Sequence, residues 1–156
     1  MRNVICCTFA GHRDINPLIV KDALREQIKL LLEMDTSFCF YVGAMGAFDV
    51  LCAQCVIELK KDYPKKQIRL TLVEPDLPMG SEWTKQYAQY DDVIRMIHRE
   101  TAYREHPIIE RNRWMADHSQ YLIACVYRQN GGAFRTLTYA EQSGITVFRI
   151  TPAAGE

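Results

Sequence analysis

Val4-Ile5-Cys6-Cys7-Thr8-Phe9-Ala10-Gly11-His12-Arg13 runs from an uncharged apolar stretch straight into a glycine followed by a histidine and an arginine. A run with no charge and no clean alternation reads as a strand buried on both faces, as in a parallel sheet. The same succession returns at Phe38 to Val42, where Gly43-Ala44-Met45-Gly46-Ala47-Phe48-Asp49 leads into a helical pattern. It returns again after Gln120 to Tyr127, where Gly131-Gly132-Ala133-Phe134-Arg135-Thr136 stands before a third helix. Strands alternating with helices predict an α/β fold: a single three-layer domain over residues 1–156, with a mostly parallel sheet and helices on both faces.

Local signals fill in the rest. Asn16-Pro17 reads as an N-cap followed by proline at the first helical position, with Val20, Leu24, Ile28, Leu31 and Leu32 continuing at helical spacing to about Glu33. A helix is expected from Ala47 to Asp62, stopped by Tyr63-Pro64, and a strand from Gln67 to Val73. A short helix from Glu82 to Tyr90, a weak strand from Val93 to Ile97 and a helix from Pro107 to His118 follow. The last elements are a helix from Ala133 to Gln142 capped by Gly144, a strand from Ile145 to Ile150, and a frayed tail from Thr151.

Composition narrows the classes of function. Lysine plus arginine and aspartate plus glutamate number 19 each, so the formal net charge is zero. That balance argues against broad electrostatic capture of nucleic acid or of an anionic membrane, and no strong nucleic-acid signal is expected. No apolar run approaches the roughly 20 residues of a membrane span, and no cleavable leader pattern follows Met1, so a cytoplasmic location is expected. Cys6, Cys7, Cys39 and Cys125 lie inside apolar runs and read as small buried hydrophobes. Cys52-x-x-Cys55 falls within a helix and has no second metal-ligating pair, so no metal site and no cofactor are expected.

In parallel sheets ligands bind beyond the carboxyl ends of the strands, and all three glycine turns belong at that edge. Glycine lets backbone N–H groups come close to a ligand, and a following helix aims its positive end there. The expected guest is a phosphorylated or otherwise anionic small molecule. Gly11, His12, Arg13, Gly43, Gly46, Gly131, Gly132 and Thr136 form the expected cradle. Arg13, Arg111 and Arg135 are its guanidinium partners, with Asn112 beside Arg111, Asp49 at the second turn, and Phe48 or Phe134 to flank a base. Cys7 and Arg13 have the spacing of a phosphatase loop, but the apolar run continues to Phe9 and sets that thiol in mid-strand.

Taken in order, Thr8-Phe9-Ala10-Gly11-His12-Arg13, the Gly43 to Asp49 turn, Arg111-Asn112-x-x-Met115-x-Asp117 and Gly131-Gly132 before Tyr139-Ala140 resemble the YpsA-like family of the SLOG superfamily. That superfamily also holds the LOG phosphoribohydrolases and the DprA nucleotide-fold domain. The resemblance implies a Rossmann-like sheet with a pocket for nucleotide-like ligands, including ADP-ribose-like, NAD-derived or cyclic nucleotides, and allows a homodimer. The LOG pattern needs a glutamate where Thr138 stands, and a hydroxyl cannot act as a carboxylate does in N-glycosidic cleavage. No catalytic residue is assigned and the reading leans towards a binding or sensing domain. The alternative is an N-glycosidase or deoxyribosyltransferase acting on a nucleotide, with Asp49, Glu74 and Glu141 as its available carboxylates.

Overall fold

Alternation along the first strand decides the layering. A computed structural model describes residues 3–77, 87–96 and 106–152. In β1 (Ile5–Gly11), Cys7 and Phe9 face one side of the sheet, while Ala10 faces the other with Leu122 and Ala124 of β5 (Tyr121–Cys125). The first side is covered by α1 (Lys21–Leu32) and α2 (Ala47–Asp62), whose Leu24, Ile28, Phe48, Leu51 and Val56 complete the larger core. The second side is covered by α3 (Pro107–Asp117) and α4 (Gly131–Ser143), with Leu137 and Ala140 against the sheet. Burying these apolar faces on both sides of one sheet is the main driving force for the architecture.

The described strands also include β2 (Ser37–Val42), β3 (Gln67–Glu74), β4 (Asp92–Arg95) and β6 (Thr146–Arg149), all parallel, in the order β4-β3-β2-β1-β5-β6. The chain steps outward from β1 to β4 on one side, then returns to lay β5 and β6 on the other. β1 and β5 are therefore the neighbours between which the direction of winding reverses, and the loops leaving their carboxyl ends diverge to open a crevice.

Most elements lie where periodicity puts them, α2 with the expected bounds. Four differ most, each for a stated reason. Asn16 caps a single 3-10 turn, Pro17–Ile19, its side chain accepting from Leu18 N–H at 3.1 Å; Val20 N–H bonds back to Pro17 O, and the α-helix begins only at Lys21. β1 extends to Gly11, paired with Cys125, and β5 ends there. Beyond it the N–H groups of Tyr127 and Arg128 turn to the His12 ring instead of a strand. Gly131 and Gly132 form the first turn of α4, not a loop before it. The expected helix at 82–90 lies largely outside the described residues, where only a 3-10 turn at 87–89 is seen, and the tail beyond 152 lies outside them as well. Among the described residues no helix is long and apolar enough to cross a membrane. Cys7, Cys52, Cys55 and Cys125 are buried, but Cys6 and Cys39, on the sheet face opposite the larger core, are only half-buried.

Candidate functional site

A cleft of about 360 Å³ opens where β1 and β5 end. Four segments wall it: Gly11-His12-Arg13-Asp14 at the end of β1 and beyond, Met45 and Asp49 around the start of α2, Arg111 and Asn112 on α3, and Asn130 to Ala133 with Thr136 at the start of α4. Residues from all three glycine turns thus meet at one rim. Gly43, Gly46, Phe48 and Arg135 do not line this cleft. Asp14, Ile108, Arg128 and Asn130 do line it, although the sequence carried no pattern that singled them out, and so do Met45 and Met115, which stood in quoted motifs without being assigned to a ligand. Arg128 comes nearest to having had a signal, since it stands in the loop after β5.

The glycines divide by what requires them. A Cβ on Gly11 would lie 2.2 Å from the Phe48 ring, so this glycine admits a core side chain that is only 1 % exposed. A Cβ on Gly43 would lie 2.7 Å from Cζ of Arg111. Gly46 has φ +96° and a Cβ there would lie 2.7 Å from Arg13 Cγ, so both backbone and packing demand glycine. Gly131 has φ +87°. Gly132 has no positive φ, and among the described residues, apart from its chain neighbours and its own helix backbone, no atom lies within 4 Å of the place its Cβ would take.

Arg111 is held more tightly than an exposed anion hook. Its Nη1 donates to Val73 O at 2.8 Å and Gly43 O at 3.2 Å, its Nε to Asn112 Oδ1 at 2.9 Å, and its Nη2 to Met45 Sδ at 3.6 Å. The residue is 1 % exposed. It ties the ends of β2 and β3 to α3 and leaves a buried positive charge in the cleft wall. Burial lowers its pKa and the charge of Asp49 opposes that shift. Asp49 accepts from Met45 N–H at 3.2 Å. Burial pushes its carboxyl up to about 6, outweighing Arg111, the Met45 amide and Arg13, so it can exchange a proton near neutral pH. Of the three carboxylates named above, Asp49 lines the cleft; Glu74 is buried beside Arg95 at 3.3 Å, and Glu141 pairs with Arg149 at 2.8 Å.

His12 braces the mouth. Nε2 accepts from both Tyr127 N–H at 3.1 Å and Arg128 N–H at 3.3 Å, which requires a neutral ring protonated on Nδ1, and Tyr127 packs edge-on at 4.4 Å. Beside it Arg128 grips Asp14 through two contacts, 2.5 and 3.1 Å. Burial, then the Arg128 charge, hold the imidazole pKa below its ordinary value. The unfolded chain therefore takes up the proton first, and acidification from about pH 6.5 downward weakens the brace. A histidine NMR titration is expected to give His12 a midpoint below that of a free peptide imidazole. A midpoint at or above that value removes the brace.

At the base of α4 the Asn130 side chain makes no capping hydrogen bond, and Gly131, Gly132 and Ala133 of the first turn line the cleft. The Thr136 hydroxyl is turned inward, donating to Gly132 O at 2.9 Å. Arg135, with Thr138, lies instead in an adjoining groove of about 390 Å³ along α4. Among the described residues no group of three or more His, Cys, Asp or Glu side chains is placed to hold a metal ion.

The family described as the YspA SLOG family (YpsA) matches residues 6–151, which takes in every wall of this cleft. The chain belongs to the YspA SLOG family. A UPF0398 protein of Brevibacillus brevis is 23 % identical over 144 residues, covering 85 % of this chain and 75 % of that protein. A UPF0398 protein of Staphylococcus epidermidis is 28 % identical over 111 residues, covering 67 % of this chain and 57 % of that protein. Among solved structures, DNA processing protein A (DprA) of Streptococcus pneumoniae superposes with TM-score 0.68 at 15 % identity over 98 % of this chain and 51 % of its own. DprA of Helicobacter pylori, solved for its single-stranded DNA binding mode, gives 0.64 at 14 % over 93 % of this chain and 64 % of its own. The chain thus spans about half to two-thirds of these DprA chains, and at such identity the likeness establishes the fold alone. It also corrects the expectation of no strong nucleic-acid signal, since a protein of this fold binds single-stranded DNA. Net charge sums over the whole surface and does not record placement: Arg13, Arg111 and Arg128 all line this one cleft.

Proposed function

We propose that this YspA SLOG protein binds the phosphate-bearing part of a nucleotide-derived ligand in the cleft between the carboxyl ends of β1 and β5. Gly132 carries the reading. A glycine in the first turn of a helix costs up to about 1 kcal/mol relative to alanine, and here neither backbone conformation nor a packing neighbour asks for it. What remains is the bare amide it presents to the cleft, beside uncapped N–H groups and the helix dipole, with Arg13 and Arg128 at the mouth and Arg111 behind. Nucleotide-sized guests such as AMP, ADP-ribose or NAD suit a space of this volume.

Titration calorimetry with AMP, ADP-ribose, cyclic ADP-ribose and NAD tests this. Gly132→Ala is expected to raise stability by roughly 0.4–1 kcal/mol while weakening binding. Arg13→Ala is expected to weaken it about tenfold, equivalent to about 1.4 kcal/mol. Absence of binding at millimolar ligand, or a Gly132→Ala protein that binds as tightly as its parent, overturns the proposal.

A second reading is favoured by the groove along α4, which shares Asn130 and Gly131 with the cleft. Phe134 offers a stacking surface there and Arg135 a charge, while the Arg113 guanidinium already covers the Tyr139 ring at 4.9 Å; an aromatic face beside a cation suits a single nucleic-acid strand. On this reading a 5′-phosphorylated oligonucleotide binds more tightly than AMP, with a steep salt dependence that Arg135→Ala reduces.

A further inference from the structure

The sheet face away from the larger core carries two thiols side by side. Cys6 of β1 and Cys39 of β2 are register partners in the parallel ladder, so both side chains leave the same face. Adjacent strands run about 4.8 Å apart, inside the roughly 4.4–6.8 Å span between Cα atoms that a disulfide bridges. Both residues are half-buried, unlike the four cysteines in the apolar core. The Thr71 hydroxyl of β3 lies 3.5 Å from Cys39 Sγ. Hydrogen bonding from the Cys6 thiol, with help from Thr71 and Tyr41 and against burial, holds the Cys39 thiol below its ordinary value, while the same partnership and burial push Cys6 up. A thiolate with a protonated thiol beside it combines a nucleophile and a resolving group, and neither belongs to the cleft.

We propose that Cys6 and Cys39 form a redox pair that a hydroperoxide converts into a reversible intramolecular disulfide. The Cys39 thiolate attacks the terminal peroxide oxygen; the O–O bond breaks and the rest of the peroxide leaves as alkoxide or hydroxide, taking up a proton. Cys39 is then a sulfenic acid. Cys6 sulfur attacks Cys39 sulfur, the S–O bond breaks, and the thiol proton leaves with the hydroxyl as water. Two thiols lose one electron each, and the peroxide, taking up both, ends as an alcohol (or water) and water. The bond joins β1 to β2 below the cleft and is reopened by an exogenous dithiol.

The test is hydrogen peroxide added to the whole, reduced protein. Expected are a loss of about 2 Da in intact mass, disappearance of two free thiols, a Cys6–Cys39 link in the peptide map, and full reversal by dithiothreitol. In Cys6→Ser the reaction stops one step earlier, and dimedone labels Cys39. Iodoacetamide is expected to modify Cys39 at least about tenfold faster than Cys125 at pH 7. The proposal is overturned if the thiols survive peroxide, if they are lost through links between chains or through another pair, or if Cys39 alkylates no faster than Cys125. The wild-type map and alkylation rates decide the matter even should the serine variant fail to fold.

Discussion

Arg111→Ala is expected to lower the stability of the protein by about 3–5 kcal/mol, the range typical of removing one partner from a buried charged network. Gly43 O, Val73 O and Asn112 Oδ1 all lose a donor, in surroundings where a replacement water must enter a space only 1 % open to solvent. Asp49 loses its main opposing charge, and its carboxyl, already at about 6, is driven higher. Arg111→Lys keeps the charge but cannot serve two carbonyls and an amide oxygen from one planar fork, so it recovers part of the loss. Natural domains hold only about 5–15 kcal/mol in reserve, which makes this a severe change. Urea denaturation of the three proteins measures it. A loss under about 1 kcal/mol accompanied by collapse of ligand affinity would make Arg111 a ligand hook, not a brace.

The second large effect is expected at Gly11. One methyl group added there meets Cγ and Cδ2 of Phe48 at 2.2 Å, and the ring is enclosed by the core formed by β1, β2, α1 and α2. Overpacking of this kind costs about 1–3 kcal/mol, and an enclosed ring puts Gly11→Ala at the upper end. Phe48→Leu alone opens a cavity and also destabilises, yet in the Gly11→Ala background it makes room for the methyl group. The double variant is therefore expected to be more stable than the sum of the single losses, by about 1 kcal/mol or more. Additive losses, or a Gly11→Ala protein within about 0.5 kcal/mol of its parent, would show that the backbone moves aside.

Several parts of this molecule were legible from residues alone. The bounds of α2 follow from Gly46 before it and Tyr63-Pro64 after it, and the uncharged runs at β1, β2 and β5 announce a parallel sheet. Gly11, His12, Arg13, Asp49, Arg111, Asn112, Gly131, Gly132 and Thr136 all come together in one cleft. Other parts left no local trace. Arg128 stands in a loop with no periodicity to mark it, and Met45 reads as an ordinary apolar residue until its sulfur is found beside a guanidinium. Thr136 carries the hydroxyl expected to converge on the cleft, but the helix takes that hydroxyl for its own backbone.

By itself the sequence determined the succession of elements and the edge of the sheet at which glycine and arginine gather, because period, proline and capping act through neighbours in the chain. Only the tertiary structure decided what each glycine is for: room for a ring at Gly11, room for a guanidinium at Gly43, a positive φ packed against Arg13 at Gly46, and no packing neighbour beyond its own helix at Gly132 among the described residues. Likewise only the tertiary structure decided that Arg111 is a buried brace and that Cys6 stands beside Cys39. The physical reason is distance along the chain. Arg111 meets its carbonyl partner 68 residues away, and no local pattern carries the identity of an atom that approaches from so far.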